Sequence, residues 1–309
     1  GPLPLIYACL LVIGISRAFN DPAASTLIPE TVPNELFANA ATWSSSAWQT
    51  AAITGPMAAG LWAGFFDNVT GIYFFDALGI LTFVILLGLI HGRQLPLARK
   101  AATLDSLKEG LRFMRDTKVI LAAITLDMFA VLFGGAVALL PIYATDILHV
   151  GAEGLGIMRA ASSMGALLMA FALAHLPPFK QAGRTLLIAV AGFGIATIVF
   201  GLSKIFWLSV LMLGLLGALD NISVVIRSTL MLTRVPDVMR GRVSAVNSIF
   251  IGMSNELGAF ESGFLASLLG PILTVAGGGV GTIIVVLVVA AAWPEMRNLK
   301  SLAPAVENV

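Results

Sequence analysis

Nine ionisable side chains stand inside long apolar stretches of this sequence: Arg17, Asp21, Asp76, Asp127, Arg159, Asp220, Arg227, Glu256 and Glu261. An unsupported charge at the centre of a lipid bilayer costs about 2.5–3.5 kcal/mol on insertion scales, so each needs a partner, a wet cavity or a route to the interface. Arg17 and Asp21, four apart, share a helical face and can pair directly. Asp220 and Arg227 are seven apart, two turns on one face. That spacing suits a gating ion pair or an anion contact, or else a plain excursion of Arg227 to lipid phosphate. Asp127, Glu256 and Glu261 are the candidates to carry a proton, because burial favours a neutral carboxyl whereas a passing cation or water favours the ionised form. For Glu256 and Glu261 the alternative is hydrogen bonding to neighbours such as Asn255 and Ser262. Asp76 and Arg159 lie near span ends, and Arg159 is within snorkelling reach.

Backbone chemistry adds a second set. Gly55-Pro56 interrupts the hydrogen-bond pattern of an apolar run, and with Gly60 and Gly64 it offers a small-residue face, either a hinge or an ordinary close-packing seam. Gly241 between Arg240 and Arg242 marks a corner, where Asp237 either latches to one of the two arginines or helps fix topology. The three histidines, His91, His149 and His175, all fall at span ends, and no G-x-S-x-G turn, H-E-x-x-H pair or G-x-x-x-x-G-K-[ST] loop occurs. The single Cys9 rules out an internal disulfide and a cysteine-rich metal site. No catalytic residue, metal or cofactor is expected. Asn68-Val69-Thr70 is read as a chance glycosylation triplet.

The elements that carry these residues follow from composition. With 58% hydrophobic and 11% charged residues and a mean hydropathy of +0.94, the solvent of this chain is lipid. A net charge of +1 provides no field to recruit nucleic acid. Runs near the roughly 20 residues that a bilayer requires occur at 3–27, 36–66, 71–91, 118–145, 152–175, 185–202, 205–230, 243–268 and 271–293. This predicts an all-α polytopic bundle of nine spans, since the runs are too continuously apolar for barrel strands.

Basic residues segregate to alternate connections. Arg93, Arg99, Lys100, Lys108, Arg112, Arg115 and Lys118 fall between spans three and four, and Lys180, Arg184, Arg234, Arg240, Arg242, Arg297 and Lys300 fall in later alternate segments. The opposite connections, 66–71, 145–151 and 201–206, hold only Lys204. The basic side is therefore expected to be cytoplasmic, with the C-terminus inside. Residue 1 is Gly, and the first apolar run has neither a basic leader nor a small-residue cleavage site, so the chain is expected to begin partway through a longer protein.

A gapless shift of 203 residues lays Ser25-Thr26-Leu27 on Ser228-Thr229-Leu230, Val32-Pro33 on Val235-Pro236, Gly55 on Gly258 and Gly60 on Gly263. This internal repeat pairs spans one and two with spans seven and eight and places the partners of spans four to six before residue 1. The expected organisation is 1–92 as the remainder of a first six-helix half, 93–117 as an amphipathic connector on the cytoplasmic surface, 118–296 as a second six-helix half, and 297–309 as a tail. Leu104, Leu107, Leu111 and Met114 form the apolar stripe of the connector. The shift also lays Arg17 on Asp220, so the two charges can face each other across a central cavity or form ion pairs that merely hold helices together.

Two six-helix halves in parallel repeat, joined by a basic amphipathic connector, resemble the major facilitator superfamily. The stretch from Arg17 through Asn20-Asp21-Pro22 to Val32-Pro33, with Asn39-Ala40, Gly55-Pro56 and the run Val235-Pro236-Asp237-Val238-Met239-Arg240-Gly241-Arg242, looks like its enterobactin-exporter-like branch. The resemblance matches the family's fourth to twelfth helices. It implies proton-driven export of a small amphipathic organic molecule, drug-like or siderophore-like, by a monomeric transport unit in a bacterial inner membrane. It also places the helices of Arg17, Asp127 and Asp220 in the cavity-lining set. Two departures stand out: Ala59 occupies the first paired-glycine place of the exporter signature Gly-Pro-x-x-Gly-Gly, and Lys180 holds the acidic place of the loop signature before Gly183-Arg184. Proton-coupled import of a nutrient is the alternative within transporters, and a membrane-embedded enzyme or receptor the alternative outside them.

Overall fold

In a computed structural model of the chain, residues 3–16, 32, 36–66, 69–89, 104–177 and 179–300 are described, and all regular structure among them is helical. Arg17 and Asp21 lie outside the described residues. The helices are α1 (Leu3–Ser16), α2 (Phe37–Phe66), α3 (Thr70–Leu89), α4 (Leu104–Asp116), α5 (Lys118–Phe133), α6 (Leu140–Ile142) with a π-helical turn at Tyr143–Ile147, α7 (Gly151–His175), α8 (Ala182–Leu202), α9 (Phe206–Arg234), α10 (Asp237–Leu269), α11 (Pro271–Ala292) and α12 (Pro294–Arg297). Five of them, α3, α7, α8, α9 and α11, are long and apolar enough to cross a membrane. Both α2 and α10 are longer still, but their Ser, Asn, Gln and Glu residues dilute the apolar face.

The chain divides into two units. One comprises Gly1–Ala51 and Val69–Arg99. Within it α1 is exposed along its whole length and α3 buries no residue. Leu, Ile and Phe cover both surfaces, as suits helices whose solvent is lipid.

The other unit comprises Ala52–Asn68 and Lys100–Val309. Here α7 packs along α9, α8 lies against both α9 and α11, and α5 touches α9, α10 and α11. Lipid supplies no hydrophobic drive between helices, so close approach must come from small residues. A Cβ on Gly165 would fall 1.8 Å from the Gly214 carbonyl oxygen, and one on Gly194 2.9 Å from that of Gly279. The second part of α2 crosses α7 in the same way: a Cβ on Gly60 would meet Ala152 O at 2.7 Å and Gly156 Cα at 2.9 Å. Pro56 stands inside α2 without ending it.

The expected continuous span over 118–145 is corrected. The α5 helix stops at Phe133 with Gly134 as its C-cap. Residues 134–139 form turns, and the chain resumes as α6 and the π-helical turn. Two glycines at 134–135 are the physical cause, because both bring the chain close to neighbours: a Cβ on Gly135 would fall 1.6 Å from Ser262 Oγ, while Gly134 abuts the Phe193 ring. Beyond the break, Tyr143 donates its hydroxyl to Gly201 O at 2.8 Å and stacks on Phe200.

The connector helix α4 docks on α10 and α5. Its inward face is Leu107, Gly110 and Met114, the last only 2% exposed. Leu111, expected in the apolar stripe, points outward at 49% exposure. Arg242 of α10 donates to Glu109 of α4, while Lys118 Nζ bonds Glu295 Oε1 at 2.7 Å. After α12 the chain turns back, so that Ala182 N donates to Lys300 O at 3.2 Å and Gly183 N to Leu299 O at 3.1 Å.

Candidate functional site

Three of the sequence-derived candidates meet. Asp127 lies in the third turn of α5, and Arg227 faces it from α9. The guanidinium Nη1 donates to Asp127 Oδ2 at 2.5 Å, with the two side chains 10% and 9% exposed. Taking both charges out of solvent is expensive, and only a short, direct contact of this kind offsets the desolvation. Arg227 Nε is also buried and makes no hydrogen bond among the described residues. The partner of Arg227 is thus Asp127, not Asp220.

Asp220 stands two turns before Arg227 on α9 and is open to a cavity of about 360 Å³. The walls of this cavity come from the broken segment 134–138, from Ser162 of α7, Phe193 of α8, Leu213, Leu216 and Gly217 of α9, and Asn255 and Gly258 of α10. A second space, about 20 Å³, is lined by Asp127, Ser223 and Asp220 among others, which is room for about one water molecule. Asp220, Val131 and Phe193 border both spaces. The two carboxylates therefore line one small space, and Asp220 lines the larger cavity as well.

Other candidates lie elsewhere. Glu256 is exposed and Glu261 half-buried, and neither lines these spaces. Their neighbour Asn255 donates to Ile251 O at 2.9 Å within its own helix. Gly55 has no heavy atom within 4 Å of an added Cβ, unlike Gly60. Arg240 donates to Leu232 O at 2.8 Å across the corner from α9 to α10. The Asp237 side chain is outside the described atoms. Arg159 and Asp76 are exposed. At the loop signature Arg184 bonds Gln181 at 3.2 Å, and Lys180 is exposed.

Reasoning from sequence missed Asn255, Ser223 and the 134–138 wall. The paired glycines at 134–135 were the available signal for the wall. Asn255 and Ser223 carry no spacing that separates them from other polar residues of their helices.

A family model described as transmembrane secretion effector matches residues 2–307. The enterobactin exporter EntS of Citrobacter koseri is 28% identical over 225 residues, 72% of this chain and 54% of the relative. The enterobactin exporter EntS of Shigella dysenteriae serotype 1 is 25% identical over 303 residues, 97% of this chain and 72% of the relative. That of Escherichia coli O1:K1 is 26% identical over 227 residues, 73% and 54% respectively. The chain thus spans between about half and three quarters of the length of these relatives. With its helical bundle, intramembrane ion pair and near end-to-end match, this multi-pass membrane protein belongs to the transmembrane secretion effectors of the major facilitator superfamily.

Proposed function

We propose that the protein acts in proton-coupled export of a small amphipathic organic molecule, siderophore-like in class, by alternating access across a bacterial inner membrane. The observation that carries this reading is the buried Asp127–Arg227 pair, which borders a small space that Asp220 also lines, and Asp220 in turn lines the larger cavity. A proton arriving by way of Asp220 neutralises Asp127 and releases Arg227. Loss of that proton restores the pair, so the two protonation states favour different helix arrangements. The names of the relatives support the outward direction and the substrate class. Arg17 and Asp21 join this set on sequence grounds, since the internal repeat lays Arg17 on Asp220, with Glu256 and Glu261 as subsidiary polar groups. Pro56 and Gly60 belong to the close crossing with α7 that must stay tight as the helices move, whereas Gly55 stands clear of it, and Arg240 and Arg242 brace the basic end, with Asp237 the acidic partner that the sequence offers. By the distribution of basic residues that end, with the C-terminus, is cytoplasmic. One polypeptide is the transport unit.

The test is flux in proteoliposomes with an imposed proton gradient and enterobactin as the probe. Wild-type protein accumulates the probe down the coupling gradient. Asp127→Asn abolishes gradient-driven accumulation, yet the folded fraction retains counterflow at equilibrium, whereas Asp127→Glu keeps coupling. Gradient-driven pumping by Asp127→Asn would refute the proton-carrier role.

A further inference from the structure

The larger cavity has an asymmetric chemistry. Among its lining residues Asp220 is the sole charged group and no cationic side chain is present. Asp220 makes no hydrogen bond or ion pair among the described residues, since the nearby guanidinium of Arg227 is bonded to Asp127. Asn255 and Ser162 supply neutral polar atoms at the walls.

The break in α5 adds to this polarity. A helix carries a partial negative charge at its C-terminus, where its last four carbonyls have no helical partner. Here that terminus is Phe133, and the segment that follows, 134–138, is itself a wall of the cavity. Gly258 lets the end of α5 come close, as a Cβ there would lie 3.0 Å from Val131 O and Leu132 O. A free carboxylate thus faces this space, and the end of α5, whose Val131 and Leu132 carbonyls approach Gly258 in its wall, borders it; both favour a positive charge. The remaining wall is apolar, with Phe193, Leu213, Leu216 and Val137. A bare alkali ion needs a close shell of several oxygens. A cavity of about 360 Å³ faced with hydrocarbon and an aromatic ring matches instead a molecule with an apolar body and one ammonium head.

We propose that this cavity is a subsite for an organic ammonium group, which Asp220 holds by a charged hydrogen bond at the broken end of α5 while Phe193, Leu213 and Leu216 pack against the ligand body. The proposal rests on reading the cavity as the substrate site of the exporter, and it adds a cationic substrate class to the catecholate siderophores such as enterobactin, which carry no ammonium.

The experiment compares 4-phenylbutylamine with 4-phenylbutanol by equilibrium dialysis against the purified protein at pH 7, corrected for micelles alone. The amine binds at least about tenfold more tightly than the alcohol, the scale of one charged hydrogen bond. Asp220→Asn brings the two compounds to parity and Asp220→Glu restores the preference, with thermal melting in detergent reporting that both variants are folded. Val137→Trp fills the cavity with Asp220 intact and removes binding of both compounds.

Equal binding of amine and alcohol to the wild type overturns the proposal, as does a preference that survives Asp220→Asn or tight binding to Val137→Trp. Selective displacement of the amine by sodium, against N-methylglucamine at equal ionic strength, would assign the carboxylate to an alkali ion and likewise overturn it. A wild-type protein with the amine preference but no flux upholds the subsite and sinks the export reading. Flux with no amine preference does the reverse.

Discussion

Arg227 has one satisfied arm and one buried, unbonded Nε, so its place in the interior depends on Asp127. Removing one partner of a buried pair leaves an uncompensated charge, at a cost of about 3–5 kcal/mol. Thermal unfolding in detergent should therefore show Asp127→Asn strongly destabilised, and adding Arg227→Gln should recover part of the loss. Asp220→Asn, in contrast, breaks no ion pair among the described residues and should change stability by no more than about 0.5 kcal/mol. If Asp220→Asn proves as damaging as Asp127→Asn, the pairing is wrong. The sequence made these three residues visible as costly intramembrane charges. It left the partner of Arg227 open because helical spacing relates Asp220 to Arg227 within one helix, whereas the contact with Asp127 crosses from another.

Among the elements, the crossing of α2 and α7 and the broken α5 carry the sharpest expectations. Gly60→Val forces a side chain against Ala152 O and Gly156, and overpacking of this kind costs about 1–3 kcal/mol. Gly55→Ala meets nothing and should gain up to about 1 kcal/mol of helix propensity. Calorimetric or fluorescence melting of the two variants, side by side, separates packing from propensity. The bundle itself was legible in the apolar runs, whose ends match the helices within a few residues for 152–175, 185–202 and 271–293. Hydropathy cannot register a backbone interruption inside an apolar run, so the stop at Phe133 was hidden although Gly134-Gly135 stood in plain view. The connector was recognised as amphipathic, yet which side of it faces protein was decided by α10, through Gly110 and the Arg242–Glu109 pair. At the other end of that surface, the hydrogen bond from Lys118 holds the Glu295 carboxyl below its ordinary value of 4.5. A depressed carboxylate stabilises the fold above its unfolded pKa and loses that contribution as the pH falls through the folded value. The protection factor over α12, taken against the intrinsic exchange rate at each pH, should accordingly fall below about pH 4.5, and Glu295→Gln should show the lower protection already at pH 7.

For the molecule as a whole, the proposed topology rests on the basic residues at one end of the helices, which the positive-inside rule puts toward the cytoplasm. A cysteine at Lys108, a side chain 76% exposed, introduced with Cys9 replaced by Ser, should resist membrane-impermeant thiol reagents in intact cells. Ready labelling from outside would invert the topology. That same end also holds the hydrogen bonds from Ala182 and Gly183 to Lys300 and Leu299, which occupy amides that a helix start leaves without partners. Gly183 is required there, because a Cβ would lie 1.8 Å from Met296 O. These bonds impose an order on biosynthesis. The start of α8 leaves the ribosome on the order of ten seconds before residue 300 at bacterial elongation rates, so α8 enters the bilayer uncapped and is closed only once residues 299–300 have been made. A message truncated after Asn298 would yield a chain with α8 to α11 inserted and the first turn of α8 still exchanging its amides freely. A stop after Lys300 would leave that turn protected, and nascent-chain hydrogen exchange can tell the two chains apart at this single turn.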